Sequence, residues 1–267
     1  MSRWTDLDRP PLDVRALNRA LVDGGLWRRV QVVDETDSTN ADVAELARSG
    51  EAEGLVLVAE HQLAGRGRHG RAWEAPARSG LSFSVLLRPV GVPANRWPLV
   101  PLLAGVGVAR AVARVAETEI SLKWPNDLLI GDRKLGGILA EWVEPAAIVV
   151  GVGLNVTMRE PELPVPTAIS LGLAGAKTTD RDTVLRACLR GIATEYAAWL
   201  GAAGDPESLL PAYRQLCTTI GREVRVELPG GRLLQGRAAG VDATGSLVVE
   251  TAGARETVTA GDVVHVR

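Results

Sequence analysis

Residues 55–80 read LVLVAEHQLAGRGRHGRAWEAPARSG, and the parsing of this stretch decides the fold. It begins with Leu55-Val56-Leu57-Val58-Ala59, an apolar run of the length of a buried strand. The run feeds into Gly65-Arg66-Gly67-Arg68-His69-Gly70-Arg71, where three glycines and three arginines fall together and no carboxylate occurs between His61 and Trp73. Gly65, Gly67 and Gly70 satisfy the GxGxxG spacing of a dinucleotide turn, but that turn must open a long helix. Pro76 and Gly80 forbid one, so the Rossmann fold is excluded. No Gly-Lys-Ser or Gly-Lys-Thr follows, which excludes a Walker A loop as well. What remains is a basic loop, poor in side-chain bulk, at the end of a strand. Arginine offers a fixed fork of donors to phosphate or carboxylate, and glycine lets backbone approach a ligand closely. The chemistry suits phosphates or an acyl adenylate; on composition alone a solvated basic loop explains it equally well.

Outward from this stretch, the periodicity predicts a helix over Leu12–Asp23 that stops at Gly24-Gly25, then a strand over Arg29–Val33. Asp37-Ser38-Thr39-Asn40 supplies several N-cap candidates for a helix through Ala41–Arg48. Leu81–Leu87 reads as a strand, and Ala104–Glu117 as a largely buried helix with Arg110 and Arg114 on its wet edge. Strands are expected over Glu119–Trp124, Leu128–Ile130, Lys134–Trp142 and Ala147–Gly153, with turns at Pro125-Asn126-Asp127 and Gly131-Asp132-Arg133. Thr179 or Asp180 can cap a helix to about Leu200, and Pro206–Cys217 supplies another. These two helices are expected to cover one face of the sheet.

From Gly221 the texture changes to short β-rich runs, Glu223–Leu228, Leu233–Val241, Ser246–Glu250 and Glu256–Val258. Pro229-Gly230-Gly231 and Asp242-Ala243-Thr244-Gly245 break them. The expectation is an α+β protein: a mixed β-sheet covered by helices over residues 1–218, and a small SH3-like β-barrel over 219–267.

The 267 residues can bury one large core and a small appendix. Thirty Lys and Arg against 32 Asp and Glu leave a formal charge of −2, so no whole-protein field attracts a polyanion, and anion binding must be local. Met1–Pro10 carries Asp6, Asp8 and Arg9 and does not resemble a secretory signal, and no apolar run approaches membrane-spanning length. The expectation is a cytoplasmic protein. Cys188 and Cys217, far apart and outside any CxxC, point to buried thiols.

Two further segments could carry chemistry. Lys123-Trp124-Pro125-Asn126-Asp127 puts a lysine at a strand end, where it can offset charge on a phosphoryl group or an attacked acyl oxygen. Taken alone, it also fits a snorkelling surface lysine followed by an ordinary turn. Gly151-Val152-Gly153-Leu154-Asn155 ends an apolar strand with an amide that could meet a ribose, phosphate or base, or could simply serve a turn.

Together these segments resemble the biotin–protein ligases, over roughly Val32–Val156. The resemblance rests on Asp37-Ser38-Thr39-Asn40; on Glu60 and Gln62 leading into GRGRHGR with Trp73 beyond; on Lys123–Asp127; on Arg133-Lys134-Leu135-Gly136-Gly137-Ile138-Leu139; and on Gly151–Asn155. It implies a catalytic domain like that of class II aminoacyl-tRNA synthetases, and an ATP-dependent biotin–[acetyl-CoA-carboxylase] ligase activity. Biotin and ATP are then substrates, with magnesium accompanying ATP. By the same resemblance Ser38, Thr39, Asn40 and Gln62 hold the biotin head, and Arg66, Gly67 and Arg68 form the loop over it. Lys123 holds the reacting carboxylate and phosphate, with Arg66 and Arg68 beside it in catalysis. Arg71, Trp73, Asn126, Lys134 and Asn155 fall on the ATP side. No metal ligand is assigned, Asp127 being the carboxylate that could help to place magnesium.

The implied partner is the biotin carboxyl carrier domain of a biotin-dependent carboxylase. Fewer than forty residues precede Asp37-Ser38-Thr39-Asn40, too few for a winged helix-turn-helix, so the expectation is no DNA binding and no repressor function. Whether the protein is a monomer or a ligand-linked homodimer stays open. Two rivals remain: a lipoate ligase on a similar fold, and an RNA-binding module using the arginine loop. The polar set Ser38, Thr39, Asn40 and Gln62 suits a ureido ring better than a dithiolane. A near-zero net charge, with one Phe and two Tyr, argues against base-stacking platforms.

Overall fold

The computed structural model describes residues 9–22, 24–228, 231–259 and 261–266. Asp23 and the turn residues Pro229 and Gly230, like most of the Met1–Pro10 segment, lie outside the described residues. Helix α1 (Val14–Leu21) starts at Asp13, whose carboxylate accepts from the Ala16 N–H, a regular N-cap. Strand β1 (Arg29–Thr36) is joined through helix α2 (Thr39–Arg48) to strand β2 (Leu55–Gln62), which lies parallel to β1. The remaining catalytic-half strands are β3 (Gly80–Leu87), β4 (Ser121–Lys123), β5 (Asp127–Ile130), β6 (Arg133–Val143) and β7 (Ala147–Asn155). They form a mixed seven-stranded sheet in the order β1-β2-β3-β7-β6-β5-β4.

Alternation sorts the sheet's two faces. Val56, Val58, Phe83, Val85, Val150 and Val152 face one core, built with helix α3 (Val100–Ala116) and helix α4 (Arg181–Gly201). Leu55, Leu57, Leu86, Ala147 and Val149 pack with Val43, Ala44 and Ala47 of α2 on the other face. Helix α3 begins four residues before the sequence expectation, because Pro101 occupies its first turn, where proline costs no hydrogen bond. Helix α4 meets the sheet at β3, where Arg181 lies 3.4 Å from the Gly80 carbonyl, and packs chiefly on α3. At their crossing a Cβ on Gly191 would stand 2.2 Å from the Gly107 carbonyl oxygen, so the two backbones touch. The expected Pro206–Cys217 helix divides into a single turn at Pro206–Ser208 and helix α5 (Leu210–Leu216).

The C-terminal strands are β8 (Glu223–Glu227), β9 (Leu233–Val241), β10 (Leu247–Glu250), β11 (Arg255–Val258) and β12 (Asp262–His265). They form a separate antiparallel sheet in the order β11-β10-β9-β8-β12. Strand β12, not anticipated from the sequence, pairs with β8 and turns its start toward the larger sheet. Among the described residues one helix, Ala94–Ala116, is long and apolar enough to cross a membrane; 72% of that window is buried inside the protein, as expected of a core helix.

Candidate active site

A cavity of about 280 Å³ opens on the α2 side of the sheet, between the end of β2, strands β3, β6 and β7, and the start of β12. Its floor is set by strand register. Ser82 and Ser84 project from β3 on the face opposite Leu81, Phe83 and Val85, and Gly151 and Gly153 lie on the same side of β7. Both glycines are spacers. A Cβ on Gly151 would stand 2.1 Å from the Asn40 Oδ1, and one on Gly153 would stand 2.3 Å from the Trp73 indole. The Gly151–Asn155 motif therefore works mainly by leaving room for two side chains.

The polar end of the cavity begins at the N-terminus of α2. Ser38 is the N-cap residue, but its hydroxyl does not cap the helix. The Thr39 N–H and hydroxyl donate to the Gln62 Oε1 at 2.8 and 3.0 Å, replacing that cap. Buried Ser84 lies 2.7 Å from the Thr39 hydroxyl and donates to the Asn40 Oδ1 at 2.6 Å; the Asn40 amide donates to the Glu141 carboxylate at 2.7 Å. Satisfied chains of this kind hold a polar wall in one geometry.

The arginine loop is a small hairpin. Gly67 N–H donates to the Arg71 carbonyl at 2.7 Å and Trp73 N–H to the Gly65 carbonyl at 2.8 Å. His69 and Gly70 make its tip with φ of 55° and 73°, the left-handed region that favours glycine. The hairpin reaches the C-terminal sheet: Arg71 pairs with Asp262, and Arg68 lies 3.4 Å from both the Asn126 Oδ1 and the Gly261 carbonyl. Burial holds the Arg68 guanidinium below its ordinary pKa, opposed by Asp262 and Asp127. Trp73 lies on Gly153, and its buried Nε1–H has no hydrogen-bond partner, leaving a donor for an acceptor within the site.

Lys123 ends β4 and is half-buried, which lowers its pKa from the ordinary lysine value; the Asp127 carboxylate opposes that shift. Lys134 on β6 is 2.6 Å from Asp127. The turn carrying Lys123 is pinned from the C-terminal side. Trp124 N–H donates to the Thr219 hydroxyl at 3.0 Å, and its indole N–H to the Gly245 carbonyl at 2.9 Å. His265 sits behind Thr219. Arg222, which can only donate, lies 3.3 Å from His265 Nδ1, so the other ring nitrogen carries the proton toward Thr219 at 3.1 Å. Burial first, then Lys123 and Arg222, push the His265 pKa down to about 4.

The structure thus brings Ser38, Thr39, Asn40, Gln62, Arg66, Gly67, Arg68, Arg71, Trp73, Lys123, Asn126 and Lys134 to one cavity. Asn155 is not among its lining. Its register matches that of Gly151 and Gly153, but its amide turns away and donates to the Ile169 carbonyl at 3.0 Å. Glu60 is also structural: it pairs with Arg181 at 2.6 Å in the core and accepts from the Leu12 N–H at 2.7 Å. Sequence reasoning missed Ser84, Glu141 and Asp262. Two serines alternating with large apolar residues in β3 were a usable signal; Asp262 had none.

The Biotin/lipoate A/B protein ligase family matches residues 32–155, and the Biotin protein ligase C terminal domain matches residues 219–266. The chain is 46% identical to the biotin–[acetyl-CoA-carboxylase] ligase of Mycobacterium tuberculosis, over 98% of this chain and 100% of that one. It is 32% identical to the Bifunctional ligase/repressor BirA of Escherichia coli, over 87% of this chain and 71% of that one. The structure of the Aquifex aeolicus biotin protein ligase in complex with biotin and ATP superposes with a TM-score of 0.75 at 28% identity, covering 90% of this chain and 100% of that one. Fold and site therefore define a member of the biotin/lipoate ligase class. Within that class, the chain belongs to the biotin–protein ligase family.

Proposed function

We propose that this cavity joins biotin to ATP, forming biotinyl-5′-adenylate, and passes the biotinyl group to a lysine of the biotin carboxyl carrier domain of a biotin-dependent carboxylase. The observation that carries the reading is the meeting, in one cavity, of the polar set at the start of α2 with the arginine hairpin and Lys123. Ser38, Thr39, Asn40 and Gln62 offer donors and acceptors to a ureido ring. Arg66 and Arg68 lie over the chain that follows, and Arg71, Trp73, Asn126 and Lys134 face the nucleotide. A carboxylate oxygen of biotin attacks the α-phosphorus, a P–O bond forms, and pyrophosphate leaves with the electron pair of the bond it breaks. Lys123 and Arg68 offset the charge that grows on the phosphoryl oxygens in a partly desolvated site.

The acceptor amine then displaces AMP directly, with no enzyme nucleophile. Cys188 cannot supply one, because burial pushes its thiol up to about 12. Magnesium fits as the nucleotide's companion. Among the described residues no three His, Cys, Asp or Glu side chains cluster to hold a metal, and magnesium commonly takes one or two carboxylates plus substrate phosphates. Asp127 is the carboxylate that would reach it, and the ion would neutralise phosphate charge.

Biotin-dependent exchange of pyrophosphate into ATP tests the first step, and the mass of a carrier domain after incubation tests the second. Lys123→Ala is expected to fold and to lose at least tenfold in exchange, the loss of about 1.4 kcal/mol of transition-state stabilisation. Unchanged exchange would remove Lys123 from the reaction. A melting temperature raised by lipoate and ATP, and not by biotin and ATP, would overturn the choice of acid.

A further inference from the structure

A second cavity, of about 480 Å³, lies between the start of α3, the middle of β6 and the C-terminal sheet. It adjoins the first across the edge of β6: Arg68, Trp124, Pro125, Asn126, Ile138 and Leu139 line both. Its outer part has a different chemistry. Pro98, Pro101, Leu102 and Ala140 give it apolar walls, Thr244, Ser246 and Thr259 are its outer polar groups, and among the described residues no carboxylate lines it. Among the described residues Arg68 is its one lining cation, at the junction with the first cavity.

We propose that this second cavity is the channel through which the acceptor lysine reaches the adenylate, and that it admits the lysine as a neutral amine. The proposal rests on the ligase reading of the first cavity. With the acid held near α2 and the nucleotide under Arg71 and Trp73, the acyl–phosphate junction falls near Lys123, Arg68 and Asn126. The second cavity reaches two of these residues, Arg68 and Asn126, beside the polar set and the hairpin that the reading gives to the substrates. Its prolines and leucine match the four methylenes of a lysine stem. A lysine must shed its proton before it can attack. The outer wall favours the uncharged amine through desolvation, and at its inner end Arg68, Arg71, Lys123 and Lys134 outnumber the carboxylates Asp127 and Asp262, so like-charge repulsion acts in the same direction. The ammonium proton is left in water on entry. The amine lone pair forms the C–N bond, the acyl C–O bond breaks, AMP leaves with its electron pair, and the second nitrogen proton departs to water through the open end.

Thr259 tests this. It is exposed at the rim, takes no part in the first cavity, and can be changed without disturbing the core. Thr259→Glu places a carboxylate in the channel, Thr259→Gln is its neutral match in size, and Thr259→Trp narrows the opening. Each is assayed by biotin-dependent pyrophosphate exchange and by single-turnover transfer from preformed biotinyl-adenylate to a carrier domain and to free lysine. Exchange is expected at the unmodified rate in all three. Thr259→Glu should move the pH midpoint of transfer upward by about one unit, and so slow transfer roughly tenfold below it. Thr259→Gln should transfer normally, and Thr259→Trp should slow transfer to the carrier. Hydroxylamine, already neutral near pH 7.5, should trap the adenylate equally well in Thr259→Glu. Transfer by the Glu and Trp variants at the unmodified rate and pH midpoint would overturn the channel, as would equal slowing by Glu and Gln. Absence of exchange in the unmodified protein would overturn the ligase reading, and the channel with it.

Discussion

Replacing Gly153 by alanine would drive a methyl group into the indole of Trp73. A Cβ at this position falls 2.3, 2.5 and 2.8 Å from Cε2, Cζ2 and Cδ2 of that ring. Carbon contacts settle at about 3.5–4.0 Å, so the ring must retreat by roughly 1.2 Å or more. Gly153 is extended and pairs with Gly137 and Ser82 on its two sides, so the strand cannot yield in its place. Overpacking of this kind costs about 1–3 kcal/mol, and at about 2–4 °C per kcal/mol the melting temperature should fall by roughly 5 °C. Trp73 N–H is bonded to the Gly65 carbonyl at the base of the arginine hairpin, so a retreat of the ring that carries its main chain along moves the hairpin as well. The KM for ATP in pyrophosphate exchange should rise about tenfold, near 1.4 kcal/mol, while binding of biotin alone stays close to normal. A double-mutant cycle decides the cause: with Trp73→Ala already in place, Gly153→Ala should cost only a few tenths of a kcal/mol more. An equal cost in both backgrounds would refute the steric argument.

Arg181→Ala leaves the Glu60 carboxylate buried without its partner, and unfolding in urea should show a loss of about 3–5 kcal/mol. Replacing both by methionine should recover part of this and no more, since the Leu12 N–H then loses its acceptor. His265 has a folded pKa near 4 against 6.5 for the free side chain, so the unfolded chain binds the extra proton first. Its contribution is complete above 6.5 and is lost as pH falls through about 4. Melting temperatures from pH 7 to 4 should decline less steeply for His265→Gln, and identical declines would dismiss the residue. Arg66, Arg68 and Arg71 offer trypsin three sites in one hairpin, and cleavage there should slow with biotin and ATP together; unchanged cleavage would mean that the hairpin does not close over ligand.

What could be read in the sequence was whatever one local run of residues carries by itself. The strand at Leu55, the turn at Ser38 and the density of arginine and glycine at 65–71 each have a short-range cause, and the structure brings all three to one cavity. Where a helix starts depends on subtler terms: the run of small and apolar residues pointed to Ala104, and α3 starts at Val100 with Pro101 in its first turn. The glycines of β7 had a meaning no local rule supplies, because the side chains they make room for come from residues 40 and 73. Asn155 shows the converse. Its strand position left a ligand contact and a turn role both open, the resemblance implied the ATP side, and a neighbouring carbonyl takes its donor.

The larger omission was the part that the C-terminal sheet takes in the site, and its cause is separation along the chain. Asp262 meets Arg71 across 191 positions and Gly245 meets the Trp124 indole across 121, contacts that leave no periodicity in either segment. Their consequence is mechanical. Lys123 precedes a tryptophan that is 2% exposed and fastened by both its nitrogens, to Thr219 at the junction of the two sheets and to Gly245 in the β9–β10 turn. Arg68 and Arg71 are held from the same side, at Gly261 and Asp262. The lysine and the hairpin that together would surround an acyl phosphate are therefore set at a common distance by a sheet that supplies none of the motif residues. Altering the contacts at Thr219 or Gly245 should disturb adenylation before it disturbs the polar set proposed to hold biotin, whose bonds to one another run among α2, β2, β3 and β6.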